Sequence, residues 1–130
     1  MDGDIAPLPD IVQLARKYQT MVMVDEAHGF GVLGKSGRGA AEHFGLEGRI
    51  DIQMGTLSKA AGSFGAYCCG STELINFLIN RSRSFIYTTA LPPAVSAASL
   101  MAIEIMESES KRREQLWENT HYFKSQLKAL

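Results

Sequence analysis

The chain has 130 residues, of which 45% are hydrophobic and 21% are charged, and its net charge at pH 7 is −1. This length and composition are typical of one soluble domain with a single core. The balanced charge gives no electrostatic reason to expect a nucleic acid or an anionic membrane as a partner, and the sequence shows neither an apolar run of membrane-spanning length nor a signal-peptide pattern.

The first half of the chain predicts helices and strands in alternation. Residues 4–18 indicate a helix, and the apolar, β-branched run at 20–24 predicts a buried strand. Residues 29–39 contain five of the twelve glycines and predict an extended loop, which is followed by a short helix at 40–44 and a second strand at 50–56. The residues expected to form the buried stripe of the first helix are Ile11, Leu14, Ala15 and Tyr18.

The second half continues the alternation. Strands are predicted at 65–70 and 85–89, with a helix at 72–81 between them. A long helix rich in Ala, Ser and Met is expected at 93–107, and an amphipathic helix at 110–130 ends the chain. Strands that alternate with helices predict an α/β fold, with a partial, mainly parallel sheet flanked by helices.

Two adjacent cysteines, Cys68 and Cys69, lie in the third predicted strand. Adjacent cysteines rarely bridge to each other, and no His or Cys has the spacing that a zinc site requires. We expect buried thiols in a reducing compartment, which favours a cytoplasmic protein without a bound metal.

The glycine-rich loop carries a nucleotide-binding pattern that its context contradicts. Gly29 to Ser36 match G-x-x-x-x-G-K-[ST], and the same glycines fit G-x-G-x-x-G. In phosphate-loop enzymes the loop and the metal-binding acid follow two different strands, whereas Asp25 precedes this loop by only four residues. A phosphate loop also opens a helix, which Gly37 and Gly39 disfavour here. Nucleotide binding is therefore a minor alternative.

Asp25 ends the first predicted strand, where active-site groups lie in an open α/β sheet. A carboxylate there can hold a proton on the nitrogen of a heteroaromatic ring, and His28, three residues later, can contact the same ligand. The alternative is that Asp25 forms a turn and that His28 is an ordinary loop histidine.

Lys59 follows the second predicted strand in a run of small and hydroxyl residues. Apolar, glycine-rich surroundings disfavour the ammonium form of a lysine and make its amine a usable nucleophile. Thr56 and Ser58 supply hydroxyls that can hold a phosphate while the lysine condenses with a carbonyl group. The alternative is an ordinary surface lysine at a strand end. Together with Asp25 and His28, these are the groups required to bind pyridoxal phosphate (PLP).

Five segments together resemble the α-oxoamine synthases, a family of fold-type I PLP enzymes. The matching segments are residues 1–8, 24–29, 37–39, 55–59 and 87–93. The resemblance covers essentially the whole chain. It implies that residues 1–109 are part of the PLP-binding large domain and that residues 110–130 form a helix leading toward a C-terminal domain.

The resemblance also implies a role for each candidate residue. Lys59 would bind PLP as a Schiff base and act as acid and base at the α-carbon of an amino acid. Asp25 would pair with the pyridine nitrogen, His28 would contact the phenolic oxygen, and Thr56 would bind the phosphate. Thr89 would reach the phosphate of the cofactor in the neighbouring subunit of a homodimer.

The reaction implied by the resemblance is the decarboxylative condensation of a small amino acid with an acyl thioester, which releases carbon dioxide and a free thiol. Members of the family are roughly three times as long as this chain. We therefore expect it to be part of a longer protein, called the parent protein below. The alternative of a different class is a catalytically silent fragment that serves packing or dimer contacts.

Overall fold

The computed structural model describes residues 3–129, so Met1, Asp2 and Leu130, which belong to segments interpreted above, lie outside the described residues. In this range the chain forms three strands and six helices. Their bounds are α1 (Leu8–Tyr18), β1 (Met23–Asp25), α2 (Ala40–His43), β2 (Ile52–Thr56), β3 (Ala66–Gly70), α3 (Thr72–Arg81), α4 (Arg83–Ile86), α5 (Pro93–Ser108) and α6 (Ser110–Lys128).

The strands form one sheet in the order β1-β2-β3. β1 runs parallel to β2, with Asp25 opposite Met54, and β3 runs antiparallel to β2, with Ala66 opposite Thr56. The α/β class is confirmed, although the sheet of the described residues is mixed rather than mainly parallel. The reason is that only residues 57–65 join β2 to β3, and a parallel pairing needs a longer crossover connection.

The core is a small cluster between α1 and the beginning of the sheet. Its buried members are Leu8, Val12, Ala15, Val22 and Leu46. Of the stripe predicted for α1, only Ala15 is buried, whereas Ile11, Leu14 and Tyr18 are 41%, 56% and 64% exposed. That part of the prediction is wrong because α1 carries two apolar stripes at helical spacing, and the spacing does not tell which stripe meets the sheet.

One face of the sheet is open. Side chains alternate between the two faces along a strand, so Met23 and Asp25 share a face with Met54, which is opposite Asp25. Val24 lies on the other face and packs against the buried cluster. Met23 is 61% exposed. The described residues therefore cover one face of the sheet and leave the face of Asp25 accessible.

Cys68 and Cys69 are exposed free thiols, so the prediction of buried thiols is wrong. Both residues lie on β3, which is an edge strand of this sheet. The buried cluster is built around α1 and the opposite edge, so no layer of the described residues covers the apolar run of β3.

The prediction of a strand at residues 85–89 is also wrong. Arg83–Ile86 form the short helix α4 instead, and Tyr87 N donates to Arg83 O at 3.0 Å. Local hydrogen bonds satisfy the backbone here because no strand of the described residues offers a partner to this segment. Thr89 consequently lies in an irregular segment between α4 and α5.

Two helices of the second half, α3 and α5, begin where the local chemistry favours a helix start. The hydroxyl of Ser71 accepts a hydrogen bond from Leu74 N at 3.2 Å and caps α3. Pro93 is the first residue of α5, where a missing N–H costs no helical hydrogen bond. None of the helices within residues 3–129 combines the length and the hydropathy needed to cross a bilayer.

Candidate active site

Two of the predicted site residues lie at the same edge and on the same face of the sheet. β1 ends at Asp25 and β2 ends at Thr56, and the carboxyl ends of parallel strands meet at one edge. Thr56 follows Met54 by two residues, so it shares the face of Met54 and of Asp25. The parallel pairing thus brings a carboxylate and a hydroxyl together on the open face.

Asp25 holds the turn that carries His28. Its Oδ1 accepts a hydrogen bond from Ala27 N at 2.8 Å. The following turn is closed by Gly29 N, which donates to Glu26 O at 3.0 Å. His28 lies exposed in this turn. Within residues 3–129, Asp25 Oδ2 makes no hydrogen bond, so one carboxylate oxygen remains available to an N–H donor of a ligand.

The hydroxyls of Thr56 and Ser58 form a pair. Their oxygens are 2.6 Å apart, and Ser58 N donates to Thr56 Oγ1 at 3.2 Å. Thr56 Oγ1 also donates to Gly65 O at 3.0 Å. Thr56 is half-buried and Ser58 is exposed. Because Thr56 gives its one hydroxyl proton to Gly65 O, Ser58 is the donor in the hydroxyl pair. An anionic group at the end of β2 could accept the proton of the exposed Ser58 hydroxyl once that hydroxyl rotates away from Thr56.

Lys59 lies in a loop whose backbone is well defined by hydrogen bonds. Lys59 O accepts from Gly62 N at 3.0 Å, and Leu57 O accepts from Ser63 N at 2.8 Å. The Ser63 hydroxyl is 2.8 Å from the hydroxyl of Ser99, which is buried in α5. The loop that carries the lysine is therefore attached to α5 as well as to the sheet.

The side chain of Lys59 is exposed in this structure. The expectation that its surroundings are apolar is wrong for the described residues, because the face of the sheet beside it is uncovered. The ion pairs among residues 3–129 are Arg38–Glu47 and Arg112–Glu109, and neither includes Lys59. Its amine is thus free of a carboxylate partner within that range.

Thr89 is exposed and lies in the irregular segment between α4 and α5. Leu91, two residues later, packs beside Gly65, where a side chain would lie 3.1 Å from Leu91 Cδ1. Gly65 is also the residue whose carbonyl accepts from Thr56. The segment of Thr89 therefore runs next to the end of the Lys59 loop.

Glu26 is a residue that the sequence analysis missed. It is 2% exposed, and its carboxylate accepts hydrogen bonds from Ala40 N at 2.8 Å and Ala41 N at 3.1 Å, at the start of α2. A side chain at Gly29 or Gly39 would meet this carboxylate. In the sequence these two glycines indicate only an extended loop, and nothing there marks the carboxylate that they accommodate.

The aromatic ring of Tyr67, on β3, packs against Phe30 near Glu26. Its ring contacts Phe30 edge to face, with ring centroids 5.3 Å apart. Burial, followed by the charges of Cys69 and Glu26, raises the pKa of Tyr67 to about 12. A side chain at Gly55 would meet the Tyr67 hydroxyl. Tyr67 therefore remains neutral near pH 7 and fills the space that Gly55 leaves open.

Several amides of the glycine-rich loop are engaged within the chain, whereas a phosphate loop keeps its amides free for the phosphates. The carboxylate of Glu42 accepts from Ser36 N at 2.9 Å and from Arg38 N at 3.0 Å. Gly31 N donates to Gly37 O at 2.7 Å. A carboxylate of the chain itself thus occupies the position where a nucleotide phosphate would have to bind. The geometry contradicts the nucleotide-binding alternative.

Side chains of helix α6 donate hydrogen bonds to carbonyl groups of the glycine-rich loop. Arg113 is buried, and it donates to Lys35 O at 2.9 Å and to Met106 O at 2.6 Å. Trp117 Nε1 donates to Val32 O at 3.1 Å. The first half of α6 is therefore attached to the loop by two side-chain donors.

The hydrogen bonds of Glu42 predict a pH dependence of the loop. Burial raises the pKa of Glu42, but the amides of Arg38 and Ser36 and the charge of Arg38 lower it more, so the pKa lies below the usual 4.5. A depressed carboxyl pKa stabilises the fold above the usual pKa, and this contribution is lost as the pH falls through the lowered value.

We therefore expect the amide proton resonances of Ser36 and Arg38 to remain constant near neutral pH and to titrate below pH 4.5, the usual value for Glu42. Two-dimensional NMR of the parent protein measures this. The Glu42→Gln variant should abolish the titration. A midpoint above 4.5, or a titration that persists in Glu42→Gln, contradicts the assignment.

Comparison with known proteins gives one family for the whole chain. The model of the family described as aminotransferase class I and II matches residues 1–130. The chain is 58% identical over its full length to 8-amino-7-oxononanoate synthase of Symbiobacterium thermophilum and covers 33% of that protein. It is 57% identical over 98% of its length to 8-amino-7-oxononanoate synthase 1 of Bacillus subtilis and covers 32% of it. The chain thus spans about one third of these curated relatives.

Solved structures agree with the sequence relatives. A structure of 8-amino-7-oxononanoate synthase from Francisella tularensis matches 98% of the chain with a TM-score of 0.84 and 36% identity, and the chain covers 37% of it. A serine palmitoyltransferase from S. paucimobilis, solved with bound PLP and myriocin, matches 99% with a TM-score of 0.94 and 40% identity, and the chain covers 33% of it. These proteins confirm the resemblance to the α-oxoamine synthases.

Proposed function

This chain belongs to the aminotransferase class I and II family, and on that premise we propose that it is the lysine-bearing part of a PLP-dependent α-oxoamine synthase. The observation that carries the proposal is the parallel pairing of β1 with β2. It brings Asp25 and the Thr56-x-x-Lys59 segment to one edge of the sheet. The reaction proposed for the parent protein is the decarboxylative condensation of a small amino acid with an acyl thioester.

The groups at this edge fit PLP. Asp25 Oδ2, which makes no hydrogen bond to residues 3–129, is an anionic acceptor that suits a protonated ring nitrogen. The hydroxyl pair of Thr56 and Ser58 suits a phosphate that replaces its internal hydrogen bonds, and the amine of Lys59, which has no carboxylate partner within residues 3–129, suits an aldehyde carbon. The open sheet face leaves room for a ring. When bound, PLP supplies an electron sink for the electron pair left on the α-carbon of an amino acid.

The residues of the chain would hold the cofactor and move protons. Asp25 would keep the proton on the ring nitrogen through a charge-assisted hydrogen bond, because its carboxylate favours the cationic form. Lys59 Nζ would hold the aldehyde carbon and, once the amine of the amino acid has displaced it, would exchange a proton with the α-carbon. His28, in the turn after β1, would contact the phenolic oxygen and so orient the ring.

Further parts of the proposal follow from the family resemblance. Thr89 contacts the cofactor phosphate of a neighbouring subunit, and the parent protein is accordingly a homodimer. Residues 1–109 belong to the PLP-binding large domain, and residues 110–130 lead toward a C-terminal domain. The parent protein works in the cytoplasm.

Relatives that are 58% and 57% identical are 8-amino-7-oxononanoate synthases, so we propose this activity, which belongs to biotin biosynthesis, for the parent protein. Residues 86–93 also favour it. Glycine C-acetyltransferase is the alternative within the family. The product name describes a nine-carbon carboxylate with a ketone at C7 and an amine at C8. Forming the C7–C8 bond with loss of carbon dioxide assigns C8 and C9 to alanine, and C1 to C7 to an acyl thioester with a terminal carboxylate.

Substrate pairing tests this proposal in the parent protein. We expect release of free thiol and carbon dioxide with L-alanine and the seven-carbon acyl thioester, and a kcat/KM at least about tenfold lower with glycine and an acetyl thioester. A thiol-reactive dye and a carbon dioxide assay measure the two products.

The opposite preference would support glycine C-acetyltransferase. Absence of thiol release with every pair in the parent protein would contradict the proposed function, and absence of release by the isolated chain alone would support the catalytically silent fragment. The same assay on the isolated 130-residue chain shows whether the activity needs the remaining segments.

A further inference from the structure

We propose that Glu26 is a positioning residue, which fixes Asp25 at the end of β1 and the following turn of His28 relative to the end of β2. This inference rests on the proposed function, because it concerns the groups that would hold the cofactor. Glu26 itself does not touch the open face. Its side chain is 2% exposed, so it acts through the segments that it joins.

The side chain of Glu26 joins the site turn to a distant part of the chain. Oε2 accepts from Ala40 N at 2.8 Å, and Oε1 accepts from Ala41 N at 3.1 Å. Both oxygens are therefore engaged by amides at the start of α2. An ionised carboxylate that accepts two amide hydrogen bonds forms stronger contacts than a neutral acceptor does. The far end of the glycine-rich loop is thereby attached to the end of β1.

The backbone of Glu26 joins the same turn to β2. Glu26 N donates to Met54 O at 2.7 Å, which extends the parallel pairing by one bond beyond Asp25. Glu26 O accepts from Gly29 N at 3.0 Å and from Phe30 N at 2.8 Å. The turn that contains His28 is therefore closed on the residue that follows Asp25.

Two glycines lie close to the carboxylate of Glu26 and enclose it. A side chain at Gly29 or at Gly39 would meet its oxygens. Gly39 has a φ of 104°, a conformation that L residues with a side chain rarely adopt. The carboxylate is thus enclosed between two backbone segments that approach it closely because both lack a Cβ.

The arrangement has a functional consequence. Asp25 is the exposed last residue of β1, and His28 lies in the exposed turn that follows it; exposed turns are ordinarily the most variable part of a structure. Glu26 anchors this turn at a buried point. A displacement of about 1 Å in a catalytic group costs about 10²-fold in rate, so loss of the anchor is expected to affect turnover.

Glu26→Gln tests the proposal in the parent protein. Glutamine has the same size, but it places an NH2 group against one of the two amides, so one hydrogen bond is lost. We expect the amides of Ala40 and Ala41 to exchange with deuterium about tenfold faster in the cofactor-free protein. With PLP we expect a changed visible spectrum and a kcat about 10²-fold lower, with KM changed far less.

Glu42→Gln is the matched control. Glu42 also accepts backbone N–H bonds, from Ser36 and Arg38, but it is not joined to the Asp25 turn. This variant should accelerate exchange at Ser36 and Arg38 and leave the spectrum and kcat unchanged. Glu26→Asp keeps the charge but is one methylene too short to reach both amides, so only partial recovery is expected.

Several results would overturn the inference. One is Glu26→Gln with the exchange, spectrum and kcat of the unsubstituted protein. Another is an equal loss of kcat in Glu42→Gln. Should Glu26→Gln not fold, the unsubstituted cofactor-free protein still decides: Ala40 and Ala41 amides exchanging as fast as exposed loop amides contradict the anchor. An unsubstituted protein that neither binds PLP nor turns over contradicts the proposed function instead.

Discussion

Lys59→Ala in the parent protein is expected to abolish the visible absorption band of bound PLP and to lower kcat more than about 10³-fold. The alanine removes the only amine in the run 55–65 at the end of β2. The loop backbone should persist, because its hydrogen bonds are made by the Lys59 carbonyl and by neighbouring residues rather than by the lysine side chain. The absorption spectrum and a steady-state assay measure the two effects.

The matched control for this lysine is Lys35→Ala. Lys35 is also exposed and lies in a glycine-rich loop, but its loop carries the pattern of nucleotide-binding proteins. The Lys35→Ala variant should keep both the visible absorption band of bound PLP and the enzymatic activity. Borohydride reduction followed by peptide mapping should locate the cofactor on the peptide of Lys59. Cofactor trapped on another lysine, or a band that survives in Lys59→Ala, contradicts the assignment.

The sequence predicted the elements on which the site stands because local signals agree there. The apolar run before Asp25 and the run before Thr56 both end in polar residues, and the structure places strand ends at those two positions. Their parallel pairing follows from the long segment between them, which is sufficient for a crossover. The candidate site could therefore be placed at one sheet edge from the sequence.

The sequence predictions that are wrong concern burial and strand pairing, which need neighbouring elements that residues 3–129 do not supply. The buried stripe of α1 is wrong for another reason, because the helix has two apolar stripes with the same spacing. The apolar character of β3 predicts burial of Cys68 and Cys69, but burial requires a covering layer that the described chain does not supply. The aromatic and β-branched run at 85–89 predicts a strand, but a strand needs a neighbour.

Glu26 was missed for a different physical reason. Its partners are backbone amides 14 and 15 residues later, and a backbone amide leaves no mark in the sequence. The only visible signal was the pair Gly29 and Gly39, whose missing side chains make room for the carboxylate. An acid next to a predicted catalytic residue, flanked by glycines, is therefore worth testing as an anchor of the site.

Asp25→Ala in the parent protein is expected to lower kcat at least about 10²-fold, because the ring nitrogen loses the carboxylate that holds its proton. This substitution alone has two consequences. It removes the anion, and it also removes the acceptor of the hydrogen bond from Ala27 N, which holds the turn of His28.

Asp25→Asn separates the two consequences. The amide oxygen can still accept the bond from Ala27 N, so the turn should be retained, while the negative charge is lost. If the reaction requires the negative charge, the kcat of Asp25→Asn should be nearly as low as that of Asp25→Ala. The thermal stability of Asp25→Asn and the hydrogen exchange of its Ala27 amide should nevertheless match those of the unsubstituted protein. Near-normal turnover in Asp25→Asn would show that the residue only shapes the turn, and a carboxylate at the end of β1 would then carry no chemistry.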